Sequence, residues 1–463
     1  MSTDMFLETI RSEGLAHLSY LIGHGGKAAV IDPRRDCHIY IEKALRHEAG
    51  IAYIFETHRN EDYVIGSREL AKLTGAKIYH GKQLDFAYGN PVVEGDCFEV
   101  GDLTLKVIET PGHTFESISV AIIDRSSGNA PIGVFTGDAL FVGDVGRTDF
   151  FPDRAEEVAG RLYDSIFKKL LPLGDHVILF PAHGAGSVCG ESMSEREFST
   201  LGYENQFNPV LRKTDRAAFI EYKANESHYK PPYFGQMEKY NLEGTADFVR
   251  TLPIPAPLDA DEFEEKIKQG AAILDTRSPE AIGGALIPGS LGIPMEMIPS
   301  FAGWFLSYDQ DIVLILHHLA DSETAVQYLR RLGYDRISGF LEEGLFAWET
   351  SGRRYNTIPA VHAEELVRRI EAKEDFTLLD VRKSSEVKQG KLPGSVHIYV
   401  GELPGKLDQV PMHRPFVTFC GSGMRAIIAA TILKKNGFDK VENALGSMAA
   451  CTAVGCPIIK DET

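Results

Sequence analysis

One stretch of this 463-residue chain occurs twice. LDTRSPEAIGGALIPGS, from Leu274 to Ser290, is echoed by LDVRKSSEVKQGKLPGS, from Leu379 to Ser395. Asp275 and Asp380, Arg277 and Arg382, Pro288 and Pro393, and Gly289 and Gly394 are each separated by 105 positions. A constant offset over such a length implies two homologous folding units. Downstream of each copy lies a second apolar run and then a helical pattern, IVLIL before SETAVQYLRRLGY and FVTF before GMRAIIAATILKKNGF. Short apolar runs alternating with amphipathic helices predict a small α/β domain with a parallel sheet covered by helices.

Pro-bearing stretches precede both copies, Thr251-Leu-Pro-Ile-Pro-Ala-Pro-Leu258 and Tyr355-Asn-Thr-Ile-Pro-Ala360, and read as linkers. They place domain boundaries near 252 and 356, giving units 253–354 and 356–463 after an amino-terminal domain 1–250. At roughly 150 residues per domain, three domains also suit the length. The first of them shows no repeat. It opens on a hairpin signal, LSYLI and AAVID around Gly23-His24-Gly25-Gly26, which predicts a mixed sheet.

Composition narrows the class of partner. With 43% hydrophobic and 25% charged residues the chain is an ordinary folded protein. Its 48 basic and 66 acidic side chains leave a net charge of −18, which disfavours nucleic acid and anionic membrane, because phosphate neutralisation needs clustered Lys and Arg. No apolar run approaches the ~20 residues of a membrane span. MSTDMFLETIRSEG shows no secretory pattern, so a cytoplasmic protein with small-molecule or protein partners is expected. The six cysteines, Cys37, Cys97, Cys189, Cys420, Cys451 and Cys456, show no CxxC spacing and form neither a disulfide framework nor a zinc ribbon.

Four motifs of the amino-terminal domain end strand-like runs. IAYIFETHRNEDY delivers His58, LKVIETPGH delivers His113, IGVFTGD delivers Asp138, and VILFPAHGAG delivers His183. With PGH and TGD in this order, residues 1–245 resemble the metallo-β-lactamase superfamily, which implies an αββα sandwich. TGDALFVGDVGRTDFF is similar to the persulfide dioxygenase and glyoxalase II branch. The superfamily's hydrolases carry His-x-His-x-Asp-His as their first motif, with ligands for two metals, whereas this chain reads His58-Arg59-Asn60-Glu61-Asp62-Tyr63. Losing half the ligands of the second site should disable a two-metal hydrolase. His58, His113 and Asp138 remain, two histidines and one carboxylate, the set used by non-haem Fe(II) oxygenases. The resemblance assigns the same trio to iron in persulfide dioxygenases. One Fe(II) per chain is therefore expected, with zinc as a substitute in recombinant protein, and Asp62 and His183 orient ligands or bound water.

Around this site, Arg147 of GRTD occupies a position that in related dioxygenases faces the carboxylate of a glutathione persulfide. A fixed guanidinium suits that task, and a polar turn is an equally good home for an arginine. The segment after His183 lacks the tyrosine of glutathione-using relatives. Cys189, six residues beyond His183, is either a persulfide relay or a small buried thiol. PPYFGQMEKYN, 231–241, resembles a segment that walls the pocket in multidomain relatives.

In the second repeat the strand PFVTF runs straight into Cys420-Gly421-Ser422-Gly423-Met424-Arg425 and a helix. A thiol at a strand-to-helix junction faces backbone N–H groups and a helix amino terminus, a setting that holds a thiolate or persulfide. C-x-x-G-x-R with LDVR upstream resembles the rhodanese sulfurtransferases, which implies Cys420 as nucleophile, Arg425 as its cationic partner and Gly421, Ser422, Gly423 and Met424 as the sulfur-binding loop. The first repeat reads Ile315-Leu316-His317-His318-Leu319-Ala320-Asp321 at that place and has no nucleophile. It is expected to be an inactive spacer or docking domain, with His317 and His318 an exposed loop pair or, less simply, metal ligands.

The expected architecture is thus α/β multidomain: an αββα metallo-β-lactamase-like sandwich followed by an inactive and an active rhodanese-like domain, each with a parallel sheet. It resembles bacterial persulfide dioxygenase–rhodanese fusions of sulfide detoxification. The resemblance implies oxidation of a low-molecular-weight thiol persulfide by O2 to sulfite, then sulfur transfer through Cys420 to give thiosulfate, in a homo-oligomer. The carrier thiol, whether glutathione, coenzyme A, bacillithiol or a protein cysteine, is left open. Two other classes remain: a sulfur-carrier protein with a vestigial metal site, and a glyoxalase II-like thioester hydrolase.

Overall fold

HLSYLIGH and KAAVI, rich in aromatic and branched side chains, meet across Gly25-Gly26 as an antiparallel hairpin in which Tyr20 faces Ile31 and His24 faces Lys27. It is the centre of a six-stranded sheet: β1 (Phe6–Ser12), β2 (His17–His24), β3 (Lys27–Ile31), β4 (Gly50–Glu56), β5 (Lys77–Gly81) and β6 (Asn90–Val92), in that order. The structure is a computed structural model in which residues 4–187, 190, 193–244, 248–410 and 414–460 are described. A second sheet holds β7 (Cys97–Val100), β8 (Leu103–Glu109), β9 (Ile118–Asp124), β10 (Pro131–Gly137), β11 (Ile178–Pro181) and β12 (Ser199–Thr200), ordered β12-β11-β10-β9-β8-β7. Both sheets mix parallel and antiparallel pairs, as β2 with β3 and β3 with β4 in the first.

Alternation along the strands sends side chains to two cores at once. Tyr20, Ile22, Ile31 and Phe55 of the first sheet pack against Leu105, Val107, Val120 and Phe135 of the second. Their neighbours point outward: Leu21, Val30 and Ile54 meet Tyr40 and Leu70 from the helices His38–Arg46 and Ser67–Thr74. Ala121, Val134 and Leu179 meet Leu162 of the helix Ala155–Ser165. The result is an αββα sandwich. Each fully buried Leu, Ile or Phe contributes about 1.5–3 kcal/mol to it.

By compactness the chain divides into Met1–Leu252 with Arg330–Gly333, and Pro253–Leu329 with Tyr334–Thr463. The second unit contains both repeats. The first repeat's sheet comprises β13 (Ala256–Leu258), β14 (Ala272–Asp275), β15 (Leu291–Gly292), β16 (Ile312–Ile315) and β17 (Ile337–Leu341), ordered β13-β17-β16-β14-β15. The other repeat has β18 (Ala360–Val361), β19 (Thr377–Asp380), β20 (Val396–His397), β21 (Phe416–Phe419) and β22 (Val441–Ala444), ordered β18-β22-β21-β19-β20. The two orders are the same, and the strands pair in parallel throughout. Every residue of β14, β16, β19 and β21 is buried, as strands covered on both faces require.

The echoed Asp-x-Arg is a structural clamp in each copy. Arg277 Nε and Nη2 bond the Asp275 carboxylate and Nη2 also reaches the Ala285 carbonyl; Arg382 does the same with Asp380 and the Gly390 carbonyl. In the second copy the helix Met424–Lys435 is buried from Ala426 through Leu433 without a break. A helix against one sheet would show a polar stripe. Here the stripe is missing because the first repeat covers that side, where Gly292 N–H on β15 donates to Thr431 Oγ1 at 3.0 Å. Among the described residues no helix is long and apolar enough to cross a membrane.

Candidate functional site

β4, β8, β10 and β11 all end at one edge of the sandwich, and the chain just past each end supplies His58, His113, Asp138 and His183. All four are buried, at most 2% exposed. Asp138 Oδ2 lies 3.8 Å from His58 Nε2 and 3.6 Å from His113 Nε2, and the two imidazole rings stand 5.1 Å apart, nearly perpendicular. Gly137, the glycine of TGD, permits this approach. Its φ is +54°, and a Cβ there would come within 2.6 Å of Thr57 Oγ1.

Hydrogen bonds on the far side of each ring fix its tautomer. His113 Nδ1 is 3.0 Å from the Arg147 carbonyl, which only accepts, so Nδ1 carries the proton. Thr57 donates its hydroxyl proton to Asp32 Oδ2 at 2.7 Å, leaving Oγ1 to accept from His58 Nδ1 at 2.9 Å. Both Nε2 atoms therefore face the Asp138 carboxylate; His58 Nε2 has no hydrogen-bond partner, and His113 Nε2 also lies 3.1 Å from Glu61 Oε1. Two imidazole nitrogens and a carboxylate converging in a buried site are a donor set suited to a metal cation. His58, His113 and Asp138 thus fit a divalent metal of the borderline class that includes Fe(II) and Zn(II).

Asp32 holds this arrangement from behind. Its carboxylate also accepts from Thr57 N–H at 2.7 Å, and burial pushes its carboxyl up to about 6. Asp32 sits at φ +49°, a left-handed conformation that costs a non-glycine residue on the order of 1–3 kcal/mol. On the other side, His183 Nδ1 reaches Asp138 Oδ1 at 2.8 Å and its Nε2 reaches Asp62 Oδ2 at 3.1 Å. Burial opposes a charged His183, yet Asp138 and Asp62 outweigh it and hold its pKa well above the ordinary histidine range. Burial likewise opposes the Asp138 carboxylate, and the three histidines outweigh it, holding Asp138 well below the usual range.

The loop 58–65 is pinned by the helix Phe234–Glu243, part of the segment expected to wall the pocket. Asn241 Nδ2 donates to the carbonyls of Asn60 and Tyr63 at 2.6 and 2.7 Å, and Tyr233 Oη donates to the Asp62 carbonyl at 3.3 Å. This turns Glu61 into the site, 2% exposed, with Oε1 3.1 Å from His113 Nε2. Arg147 is buried and its guanidinium is bound by Asp149, Nε to Oδ1 at 2.6 Å and Nη2 to Oδ2 at 2.7 Å. Its carbonyl, as described, orients His113. Cys189 lies outside the described residues.

In the second repeat Cys420 follows β21 and is 1% exposed. Gly423 N–H donates to its Sγ at 3.1 Å. Gly423 has φ +101°, which turns that N–H inward at the start of the helix Met424–Lys435. Cys420 N–H donates to Ser447 Oγ at 3.0 Å, so the next helix, Ser447–Ala453, holds the backbone at Cys420. Arg425 makes a two-pronged pair with Glu386, 2.6 and 2.7 Å. Burial opposes the Glu386 carboxylate, and Arg425 outweighs it and lowers its pKa. In the first repeat, His317 and His318 are exposed beside a cavity of about 240 Å³ that Glu342 and Glu343 also line. Among the described residues, the group of side chains spaced to hold a metal is His58, Glu61 and His113.

No sequence motif singles out Asp32, Thr57, Glu61, Glu386 or Ser447. Thr57 and Glu61 lie inside the HRNEDY stretch and its flank, whereas Asp32 and Glu386 reach their sites from distant segments.

Residues 13–183 match the family model described as metallo-beta-lactamase superfamily, and residues 259–351 and 362–453 each match the rhodanese-like domain. Over 205 residues the chain is 30% identical to the mitochondrial persulfide dioxygenase ETHE1 of Bos taurus, covering 42% of this chain and 70% of that protein. It is 28% identical over 206 residues to the hydroxyacylglutathione hydrolase GloC of Haemophilus influenzae, covering 40% of this chain and 87% of the relative. Among solved structures, a metallo-beta-lactamase from Staphylococcus aureus subsp. aureus COL superposes with a TM-score of 0.66 at 34% identity, over 73% of this chain and 98% of that one.

Proposed function

The chain belongs to the metallo-β-lactamase superfamily and carries two rhodanese-like domains, and from that premise we propose that it is a ferrous persulfide dioxygenase coupled to a sulfurtransferase. The observation that carries the proposal is the buried meeting of His58, His113 and Asp138, whose two histidines point their Nε2 atoms at one carboxylate. Asn60 and Tyr63, standing where the two-metal hydrolases have histidines, leave the second site without half its ligands.

Bound Fe(II) supplies the redox chemistry by which a persulfide, dioxygen and water give thiol, sulfite and two protons. The protein's part is positioning. Arg147 carbonyl and Thr57 hold the two imidazoles in the tautomer that offers Nε2. His183, bound to both Asp138 and Asp62, fixes the carboxylate's orientation. Arg147 stands at the substrate wall, and a substrate carboxylate meets it in competition with Asp149.

The second half of the reaction belongs to Cys420. Its thiolate attacks the sulfane sulfur of a second persulfide, forming Cys420 persulfide and releasing the carrier thiol. Sulfite then attacks the outer sulfur, thiosulfate leaves, and the thiolate returns. The Gly423 N–H stabilises the sulfur anion at the start and end of this cycle, and Gly421, Ser422 and Met424 complete the loop around it. Arg425, held by Glu386, supplies positive charge for the incoming sulfite.

The test is metal analysis of anaerobically purified protein together with O2 uptake on a panel of persulfides. Near one iron per chain and persulfide-dependent O2 uptake are expected. Substoichiometric iron with no uptake would instead leave a sulfur carrier, and turnover of S-lactoylglutathione with two bound metals would establish a thioester hydrolase.

A further inference from the structure

Glu61 occupies a place for which the first motif gives no role. In the superfamily's pattern it is one of the variable positions, between the residues that become Asn60 and Asp62. Asn60, at the position of a histidine, turns away from the centre and donates from Nδ2 to the His58 carbonyl at 3.2 Å. The carboxylate of the next residue comes in instead.

We propose that Glu61 is a fourth metal ligand, so that the centre is held by two histidines and two carboxylates; this rests on the metal-dependent reading above. Glu61 Oε1 and His113 Nε2 lie 3.1 Å apart and both side chains are buried, on the side of the ring away from the Nδ1 contact to the Arg147 carbonyl. Both atoms are donors that one divalent cation could share. Ligands bound at about 2.1 Å lie ~3.0 Å apart in adjacent positions and ~4.2 Å apart in opposite ones. The separations of 3.1, 3.6 and 3.8 Å among His113, Glu61, Asp138 and His58 all fall in that interval. Ligand atoms of His58, Glu61 and His113 also lie within 4.8 Å of one another.

Glu61 is held there from outside the centre. Asn241 bonds the carbonyls on either side of the Glu61-Asp62 pair, and Arg59 N–H donates to Glu116 Oε1 at 2.9 Å. The inward turn of the loop is therefore built by its surroundings. Two carboxylates balance the two charges of a divalent ion. Four protein ligands would still leave open positions on a six-coordinate ion for small ligands.

The experiment titrates metal-stripped protein with Co(II), reading affinity by chelator competition and coordination by the visible d–d absorption. E61Q is expected to weaken Co(II) binding about a hundredfold or more, beyond the 10–100-fold typical of residues behind the ligands, and to change the d–d band. Wild-type affinity and an unchanged band in E61Q, with D138N losing both, would overturn the Glu61 assignment and leave the dioxygenase reading standing. If the unaltered chain binds neither Co(II) nor Fe(II), both fall. E61D, with the carboxylate drawn back by one carbon, serves if E61Q does not fold: weakened binding supports the assignment and wild-type binding overturns it.

Discussion

Glu386 meets Arg425 through two parallel hydrogen bonds of 2.6 and 2.7 Å, and so fixes the one cationic side chain of the Cys420 loop in a single orientation. Such charge-assisted forks add geometry as well as energy. E386Q should lower the rate of thiosulfate formation about tenfold, chiefly through a raised KM for sulfite, because Arg425 is no longer aimed. O2 uptake should stay at the wild-type level, and E386D should recover part of the loss. Steady-state kinetics with sulfite varied, alongside an oxygen electrode, makes the measurement.

C420S separates the two halves of the reaction. Serine keeps the size and the Gly423 contact but forms no persulfide. Thiosulfate formation should be abolished while O2 uptake persists and sulfite accumulates. An undiminished thiosulfate yield would transfer the role to another thiol, with Cys189 next in line.

In the proposed centre Thr57 would act on the metal through His58. T57A removes the acceptor that holds the His58 Nδ1 proton and should lower metal affinity by roughly 10–100-fold. The sandwich itself should persist, since Thr57 lies at the end of β4 and not in its core. Chelator competition and far-ultraviolet circular dichroism on one sample test the two halves of the statement.

Glu56 makes stability depend on pH. It is buried, its Oε2 accepts from Tyr88 Oη at 3.1 Å, and burial pushes its carboxyl up from 4.5 to about 8. Between those values the folded chain binds a proton that the unfolded chain has released. Its stabilising contribution is therefore complete below about 4.5 and is lost as pH rises through about 8, an effect on the order of a few kcal/mol. E56Q, which mimics the protonated form, should unfold at a higher temperature than wild type at about pH 9 and at a similar one at about pH 4. Thermal unfolding of the two proteins at both pH values decides it.

How much of this was written in the sequence depends on the range over which each feature is made. The repeat and the hairpin are local patterns, and the sheets they imply are those of the fold. The four ligand-bearing motifs end strands, and strand ends meet at one edge, so His58, His113, Asp138 and His183 come together. Glu61 was hidden because its inward turn is set by Asn241, about 180 residues away in the chain. Asp32 was hidden because its role passes through Thr57, and Glu386 because SSEV reads as a solvated helix start. Arg147 shows the opposite case. Its position is conspicuous in GRTD, but no pattern announces that Asp149, two residues on, takes the guanidinium.

The unbroken burial of the helix Met424–Lys435 gives the copy without a cysteine at 315–321 a structural part in the other. Here the first copy supplies the wall on which the second copy's helix rests, through Gly292 and Thr431. Removing it would present a second apolar face of that helix to water and leave the Cys420 loop standing on a support open at the back. In the first copy the edge around Leu291 and Gly292 therefore carries a load for the other copy that the loop at 315–321 does not.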